Sequence, residues 1–254
     1  MTSSTSAVSR LRDIVGREAA VDPAHLPSYA IDSYLPIAAV QPADADGVSE
    51  VLTWAHRFGV AVFPSGGRTF TQLGNPPTRP GIALDLTQLN RVVDFQPADL
   101  TVSVEAGVTI AQLDAALAQD GKHVPISAPQ AGRATVGGTL ATGVSGPLRA
   151  AYGLPRDWLI GINVVGADGT PTKAGGKVVK NVTGYDLNRL YTGSLGTLAV
   201  ITEATFKLAP APVDWAVVVA SFRHAPVRTC SPNITLPLGC SCSPVKRLLT
   251  CPRP

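Results

Sequence analysis

Glycine and small hydroxyl-bearing residues fill the stretch Pro129-Gln-Ala-Gly-Arg-Ala-Thr-Val-Gly-Gly-Thr-Leu-Ala-Thr-Gly-Val-Ser-Gly146, here called the second segment. The first segment, Phe63-Pro-Ser-Gly-Gly-Arg-Thr-Phe70, and the third segment, Tyr191-Thr-Gly-Ser-Leu-Gly-Thr-Leu198, have a similar composition. Glycine lets backbone N–H groups approach a ligand closely, and neighbouring N–H groups and hydroxyls form a concave array of donors for phosphate. One such segment is weak evidence, because turns use the same residues, but three together predict a large phosphorylated ligand.

Two common nucleotide-binding signatures are absent. No Gly-x-Gly-x-x-Gly opens a first strand–helix unit, which argues against a nicotinamide-binding Rossmann fold. The P-loop pattern is also missing: Lys177 follows Gly176, but Pro171 and Val178 break the spacing. The ligand of the three segments is therefore not expected in either of those two folds.

Short apolar and β-branched runs predict an α+β fold. Strands are predicted at 60–63, 82–86, 92–95, 100–105, 159–165 and 198–208, with a hairpin turn at 167–170. Helices are predicted at 7–20, from the capping residues 42–46 to Phe58, at 109–119 and at 185–191. Residues 22–41 and 125–153 lack periodicity. The mixture of helix–strand and strand–strand links favours α+β over a doubly wound parallel sheet.

Charge and cysteine are concentrated at the carboxyl end. The chain has 254 residues and a formal net charge of +3, yet 222–254 hold five basic residues, no acid and all four cysteines. The rest of the chain therefore has no basic footprint for nucleic acid, and its lack of cysteine favours a reducing, cytoplasmic setting. The cysteine spacing matches no zinc pattern, so no metal is expected. No run of about 18 apolar residues is present, which argues against a membrane-spanning helix.

The carboxyl-terminal stretch has two interpretations. Residues 222–254 contain six prolines and no apolar periodicity, a composition that cannot offset the chain entropy lost on folding. A strand begins at 214–221, so the native chain is interrupted there, for instance by a change of reading frame, or the stretch is a genuine flexible tail. The expected division is an N-terminal helix and loop at 1–33, a ligand-binding domain at 34–212, and a truncated substrate domain with a disordered tail at 213–254.

The order of the three segments carries a resemblance that covers roughly 34–212. Together with Gly175-Gly-Lys-Val-Val-Lys-Asn-Val-Thr-Gly-Tyr-Asp-Leu187, they resemble the FAD-binding domain of the vanillyl-alcohol oxidase / p-cresol methylhydroxylase (PCMH) family. Within it, the chain is most similar to the FAD-binding subunit of bacterial glycolate oxidase. The resemblance implies a PCMH-type domain of two α/β subdomains, with FAD as cofactor.

The resemblance also implies which residues hold FAD. The first two segments wrap the pyrophosphate in this family, and the third follows the adenine and ribose side. The implied cofactor-binding residues are Pro64, Ser65, Gly66, Gly67, Arg68, Thr69, Ala134, Thr135, Val136, Gly137, Gly138, Thr142, Ser145, Gly146, Gly196, Thr197, Val200 and Ile201. Arg68 stands where some members carry a histidine bound covalently to flavin, and the second segment lacks the cysteine anchor of others, so FAD is expected to be non-covalent. The Arg68 charge is expected either to add to the phosphate site or to be an ordinary loop charge.

The resemblance implies an FAD-dependent oxidoreductase subunit of a 2-hydroxyacid dehydrogenase or oxidase, acting on glycolate or a lactate-like acid. No catalytic base is identified, although Arg149 and Arg156 could face the flavin edge. The alternative is a non-catalytic FAD-binding or assembly module in a complex with a catalytic flavoprotein and an iron–sulfur subunit, which could bring it to the inner face of the membrane. A sugar-nucleotide reductase is a third option.

His123, Asp168 and Asp186 are explained by structural roles in turns and helix caps.

Overall fold

The computed structural model describes residues 20–176 and 185–212. The chain divides at Pro210 into two units, and all elements below belong to the first. The helix predicted at 7–20 lies outside the described residues except for Ala20, which forms an isolated bridge with Val40, and the strand and tail predicted after 213 lie outside them altogether. None of the helices in the described parts has the length and apolar character needed to cross a bilayer.

The described elements alternate irregularly between helices and strands. The strands are β1 (Ala38–Val40), β2 (Ala61–Ser65), β3 (Gly81–Asp85), β4 (Val92–Gln96), β5 (Thr101–Glu105), β6 (Lys122–His123), β7 (Leu159–Gly166), β8 (Pro171–Gly175), β9 (Ala199–Lys207) and β10 (Ala209–Pro210). A 3-10 helix (Pro23–Tyr29) precedes α1 (Ala45–Phe58), α2 (Ile110–Ala118), α3 (Val136–Thr142), α4 (Arg149–Tyr152), α5 (Pro155–Trp158) and α6 (Leu187–Tyr191).

The first subdomain is a three-stranded parallel sheet in the order β1-β3-β2, with α1 in the connection from β1 to β2. Asp44 caps α1 by accepting from the Gly47 N–H, and Gly59 ends the helix with a left-handed φ of 65°. The predicted bounds of α1 are therefore confirmed. The sequence did not predict β1 or the 3-10 helix, because both are short and lie among prolines, and 125–153, which lacks periodicity, contains α3 and α4.

The second subdomain is a five-stranded antiparallel sheet in the order β4-β5-β9-β7-β8. The hairpin between β7 and β8 confirms the predicted turn, in which Asp168 accepts from the N–H and hydroxyl of Thr170. A short ribbon of β6 and β10 lies apart from this sheet. One parallel and one antiparallel sheet give the α+β fold that the sequence predicts.

Two apolar cores hold these sheets. In the larger core, α2 and α3 pack on one face of the antiparallel sheet around side chains such as Leu113, Leu140 and Phe206. In the smaller core, α1 packs on the parallel sheet and reaches Val165 and Val200 of the other sheet. The two sheets therefore share α1 as a common support, and the glycine-rich segments lie on loops whose ends these cores fix.

Candidate functional site

The first and second segments are in direct contact. A Cβ on Gly66 would collide with Thr135 Oγ1, and one on Gly67 would lie 2.6 Å from the carbonyl carbon of Arg133. Arg133 Nη2 donates to the Gly67 carbonyl at 3.3 Å, which links the two loops a second time. Only glycine allows this approach, since any side chain at either position would separate the segments.

The second and third segments are joined by backbone hydrogen bonds. The Gly193 N–H donates to the Leu140 carbonyl at 2.9 Å, and the Leu195 N–H donates to the Ala141 carbonyl at 2.7 Å. The end of α3 is also close to the third segment, because a Cβ on Gly143 would lie 3.2 Å from the Gly193 Cα. The third segment is therefore fixed to the end of α3.

The first and third segments also approach each other. A Cβ on Gly196 would lie 3.4 Å from Pro64 Cγ, and one on Gly74 would lie 3.4 Å from Leu195 Cδ1. Each segment thus contacts the other two, although 58 residues separate the end of the first from the start of the second. The three segments form one structural site.

Backbone donors are available in the loop that follows β2. Among the described residues, the N–H groups of 66–69 donate to no other group. The loop is half-buried, and Arg68 within it has a left-handed φ of 55°. Successive free N–H groups with a left-handed residue among them form a concave anion-binding surface. The N–H groups of 144–146 likewise have no acceptor in the described part of the chain.

The first turn of α3 differs, because its N–H groups are already bonded within the protein. Their acceptors are the Val108 carbonyl for Val136, the Ala106 carbonyl for Gly137 and the Thr135 hydroxyl for Gly138, at 2.8, 2.8 and 3.2 Å. A Cβ on Gly137 would lie 2.7 Å from Ala106 Cβ. Gly137 therefore serves close packing of the helix against the loop after β5, and the N–H groups of 136–138 are not free donors.

The remaining residues predicted for the site lie around these loops. Pro64 and Ser65 end β2, and Ala134 is buried just before α3, while Ser145 and Gly146 follow the helix. The Thr142 hydroxyl is bonded to the Gly138 carbonyl, and the Thr197 hydroxyl to the Ser194 carbonyl. Val200 and Ile201 are buried in β9, where they pair with β7 on one edge of the strand. On the other edge, β5 pairs with β9 only as far as Glu203, so this pairing does not reach Val200 and Ile201.

The Arg68 side chain turns toward the protein. Its Nη1 lies 3.0 Å from Asp85 Oδ2, and its guanidinium carbon lies 4.4 Å from the ring centre of Tyr29. Asp85 and Tyr29 were not among the residues predicted for the site. The signal available for Asp85 was a carboxylate at the end of an otherwise apolar buried strand.

Several buried polar atoms next to the segments have no partner. Within the described residues these include Ser127 Oγ, against which a Cβ on Gly146 would collide, and Ser194 Oγ in the third segment. Both nitrogens of His123 are also unpaired, and burial lowers the pKa of this histidine, so its ring is neutral at physiological pH. Its ring meets Tyr152 edge-on at 5.6 Å. A buried polar atom without a partner is costly, so each of these atoms is a candidate contact for a ligand.

No group of three or more His, Cys, Asp or Glu side chains in the described ranges could hold a metal ion. The site as described is therefore built from backbone donors, hydroxyls and close glycine contacts. This donor set suits the oxygens of a diphosphate.

Comparison with known proteins identifies the family. The family model for an FAD binding domain matches residues 36–175. D-2-hydroxyglutarate dehydrogenase of Xanthomonas citri pv. viticola is 35% identical over 177 residues, which are 70% of this chain and 38% of that protein. Glycolate oxidase subunit GlcD of Bacillus subtilis is 35% identical over 178 residues, again 70% of this chain and 38% of that protein. The chain thus spans well under half the length of these relatives.

A solved structure supports the fold independently. The structure of p-cresol methylhydroxylase with substrate bound is 23% identical and has a TM-score of 0.72, covering 88% of this chain and 47% of that one. The predicted resemblance and fold class are confirmed, and the free donors of the first segment fit the cofactor of the family. The chain belongs to the FAD-binding domain family, with the fold of p-cresol methylhydroxylase and FAD as its cofactor.

Proposed function

We propose that this chain is the FAD-binding part of an oxidoreductase that oxidises a small 2-hydroxyacid, with FAD held by the three converging segments. The observation that carries this proposal is the contact of all three segments around the free N–H groups of 66–69. Those donors suit a diphosphate, and FAD is the family's cofactor.

In this proposal, the predicted site residues act in different ways. The N–H groups of 66–69 hold the diphosphate, assisted by those of 144–146, while Pro64, Ser65 and Ala134 shape the same surface. The N–H groups of 136–138 are used inside the protein, where the Thr135 hydroxyl accepts from that of Gly138, so these residues contribute by packing. Gly196, Thr197 and the open backbone edge at Val200 and Ile201 receive the adenosine side.

The substrate class follows from the names of the relatives. D-2-hydroxyglutarate and glycolate are both 2-hydroxyacids, so this chemistry is common to two proteins that each match over 70% of this chain. Oxidation of a 2-hydroxyacid to a 2-oxoacid removes two electrons and two protons, and FAD when bound accepts the electron pair. We assign no catalytic base among the described residues, and the binding is proposed to be non-covalent.

A second candidate is a non-catalytic FAD-binding module within a multi-subunit flavoprotein complex. It is supported by the relative named as a glycolate oxidase subunit. In this case a catalytic flavoprotein and an iron–sulfur subunit would be the partners, and turnover would require them.

The binding step is tested by titrating the purified chain with FAD, FMN and riboflavin and following the quenching of flavin fluorescence. We expect saturable binding of FAD, weaker binding of FMN and none of riboflavin, because the free N–H groups need a diphosphate. Equal affinity for FAD and riboflavin would refute the assigned role of the first segment, and no FAD binding would refute the proposal itself.

The reaction is tested by anaerobic bleaching of the FAD absorbance in the loaded chain with glycolate, D-lactate or D-2-hydroxyglutarate. Bleaching by the chain alone supports catalysis. Bleaching only after partner subunits are added supports the second candidate, the non-catalytic FAD-binding module. A loaded chain that is bleached by NADPH and by none of the three acids, with or without partners, contradicts the 2-hydroxyacid assignment and supports a reductase.

A further inference from the structure

Asp85 is a buried carboxylate at the end of β3 that joins three parts of the chain. Its side chain is 2% exposed. Its Oδ2 accepts from the Tyr29 hydroxyl at 2.5 Å and from Arg68 Nη1 at 3.0 Å, and its Oδ1 accepts from the Thr87 N–H at 2.9 Å. The Asp85 carboxylate therefore ties the 3-10 helix and the first segment to the parallel sheet.

Arg68 lies in the loop with the free N–H groups, and its backbone is in an unusual conformation. Its φ of 55° belongs to the left-handed region, which a residue with a Cβ adopts at a cost. Such a conformation persists when the surrounding structure holds it. Here the ion pair with Asp85 and the stacking on Tyr29 hold the Arg68 side chain from two directions.

The same contacts make the positive charge of Arg68 less available to an anion bound at 66–69. The guanidinium is neutralised by Asp85 and covered by the Tyr29 ring, and 26% of the Arg68 side chain remains exposed. A guanidinium that serves a phosphate directly needs its N–H groups free to fork onto the phosphate oxygens. One of these N–H groups is already used by Asp85.

We propose that Arg68, Asp85 and Tyr29 form a positioning clamp, in which the Arg68 side chain holds the loop backbone so that the N–H groups of 66–69 point at the diphosphate. Arg68 is then a positioning residue, and its charge is not the main attraction for the phosphates. This inference rests on the proposed function, because it concerns how the chain prepares its FAD site.

Arg68→Ala and Arg68→Gly test whether the conformation of the loop backbone at position 68 matters for FAD binding. Both remove the charge and leave Asp85 without its partner, but glycine adopts a positive φ freely and alanine does not. The clamp predicts that R68G binds FAD about tenfold more tightly than R68A. Equal Kd values from fluorescence quenching would show that the backbone conformation at position 68 does not limit FAD binding, and would overturn the proposal.

Asp85→Asn is a second test, for which the clamp and a direct charge contact predict changes of opposite sign in the Kd for FAD. It weakens the clamp while keeping the size of the side chain, so the clamp predicts a higher Kd for FAD. If Arg68 acted through its charge, releasing it from Asp85 would lower the Kd. A Kd that is unchanged or lower in D85N overturns the proposal, and this variant decides alone if R68A does not fold, as judged by circular dichroism of the apo chain.

The titration of the wild-type chain comes first, because it distinguishes a failure of the proposed FAD-binding function from a failure of the clamp alone. If the wild-type chain does not bind FAD, the proposed function fails before the clamp is tested. If it binds FAD and the variants do not follow the predicted order, the clamp alone fails.

Discussion

Gly67→Ala tests the contact between the first and second segments most directly. The added Cβ would lie 2.6 Å from the carbonyl carbon of Arg133 and 3.2 Å from the Ala134 nitrogen, whereas ordinary contacts begin near 3.4 Å. The Arg133 carbonyl oxygen would be closer still, so the two loops must separate by more than 1 Å, and a displacement of about 1 Å can already cost up to roughly 100-fold in a positioned site. Overpacking costs about 1–3 kcal/mol, which corresponds to a rise in Kd of roughly 5–150-fold.

Gly132→Ala is the matched control for this change. Gly132 lies in the second segment, next to the Arg133 that Gly67 contacts, and has nothing within 4 Å of its Cβ position, and neither glycine has a left-handed φ. The two variants therefore differ only in what the new methyl group meets. The Kd for FAD is measured by fluorescence quenching, and the Tm of the apo chain by circular dichroism. Kd values for G67A and G132A that agree within about twofold would refute the packing argument, since its lower bound is roughly fivefold.

Three further predictions concern the core, the Tyr29 hydroxyl and the cofactor linkage. Leu140→Ala removes a fully buried side chain of α3, within the second segment, and should lower the free energy of unfolding in urea by about 2–5 kcal/mol; a cost below about 1 kcal/mol would contradict this packing. Burial, with the charge of Asp85, raises the pKa of Tyr29 from 10.0 to about 12, so the folded state holds this proton more tightly than the unfolded state. The stabilisation is present below pH 10 and is lost as the pH rises toward 12, so the free energy of unfolding should fall more steeply in the wild type than in Y29F; parallel curves would contradict it. Acid precipitation of the FAD-loaded chain should leave the flavin in the supernatant, because position 68 is arginine and the second segment has no cysteine, whereas a yellow pellet would indicate a covalent bond.

The elements that the sequence predicted well have local causes. The start of α1 follows from the Asp44 side chain accepting from Gly47, and its end follows from the left-handed Gly59. The capping box of Thr109 and Gln112 similarly fixes the start of α2. Such signals involve residues within a few positions of each other, so a single sequence contains them in full.

The features that the sequence could not predict depend on long-range contacts. The Tyr29 hydroxyl reaches Asp85 across 56 positions, and no local pattern indicates that pair. Similarly, glycines at the start of α3 predicted free N–H groups, but Ala106 occupies that space and accepts from Gly137. A glycine-rich loop with free donors and one that only permits close packing have the same composition, and tertiary contacts alone distinguish them.

Left-handed residues other than glycine connect these local and long-range features. Arg68, Gln130 and Leu195 have φ values of 55°, 57° and 54°, one in each glycine-rich segment. Glycine would adopt these values without a Cβ penalty, so the side chains must offset that penalty through contacts. Arg68 pairs with Asp85, and the Gln130 side chain accepts from Arg133 at 3.4 Å. The turns at Arg68 and Gln130 are thereby held by side-chain contacts before a ligand arrives, so binding FAD should require little ordering of their backbone, which favours affinity.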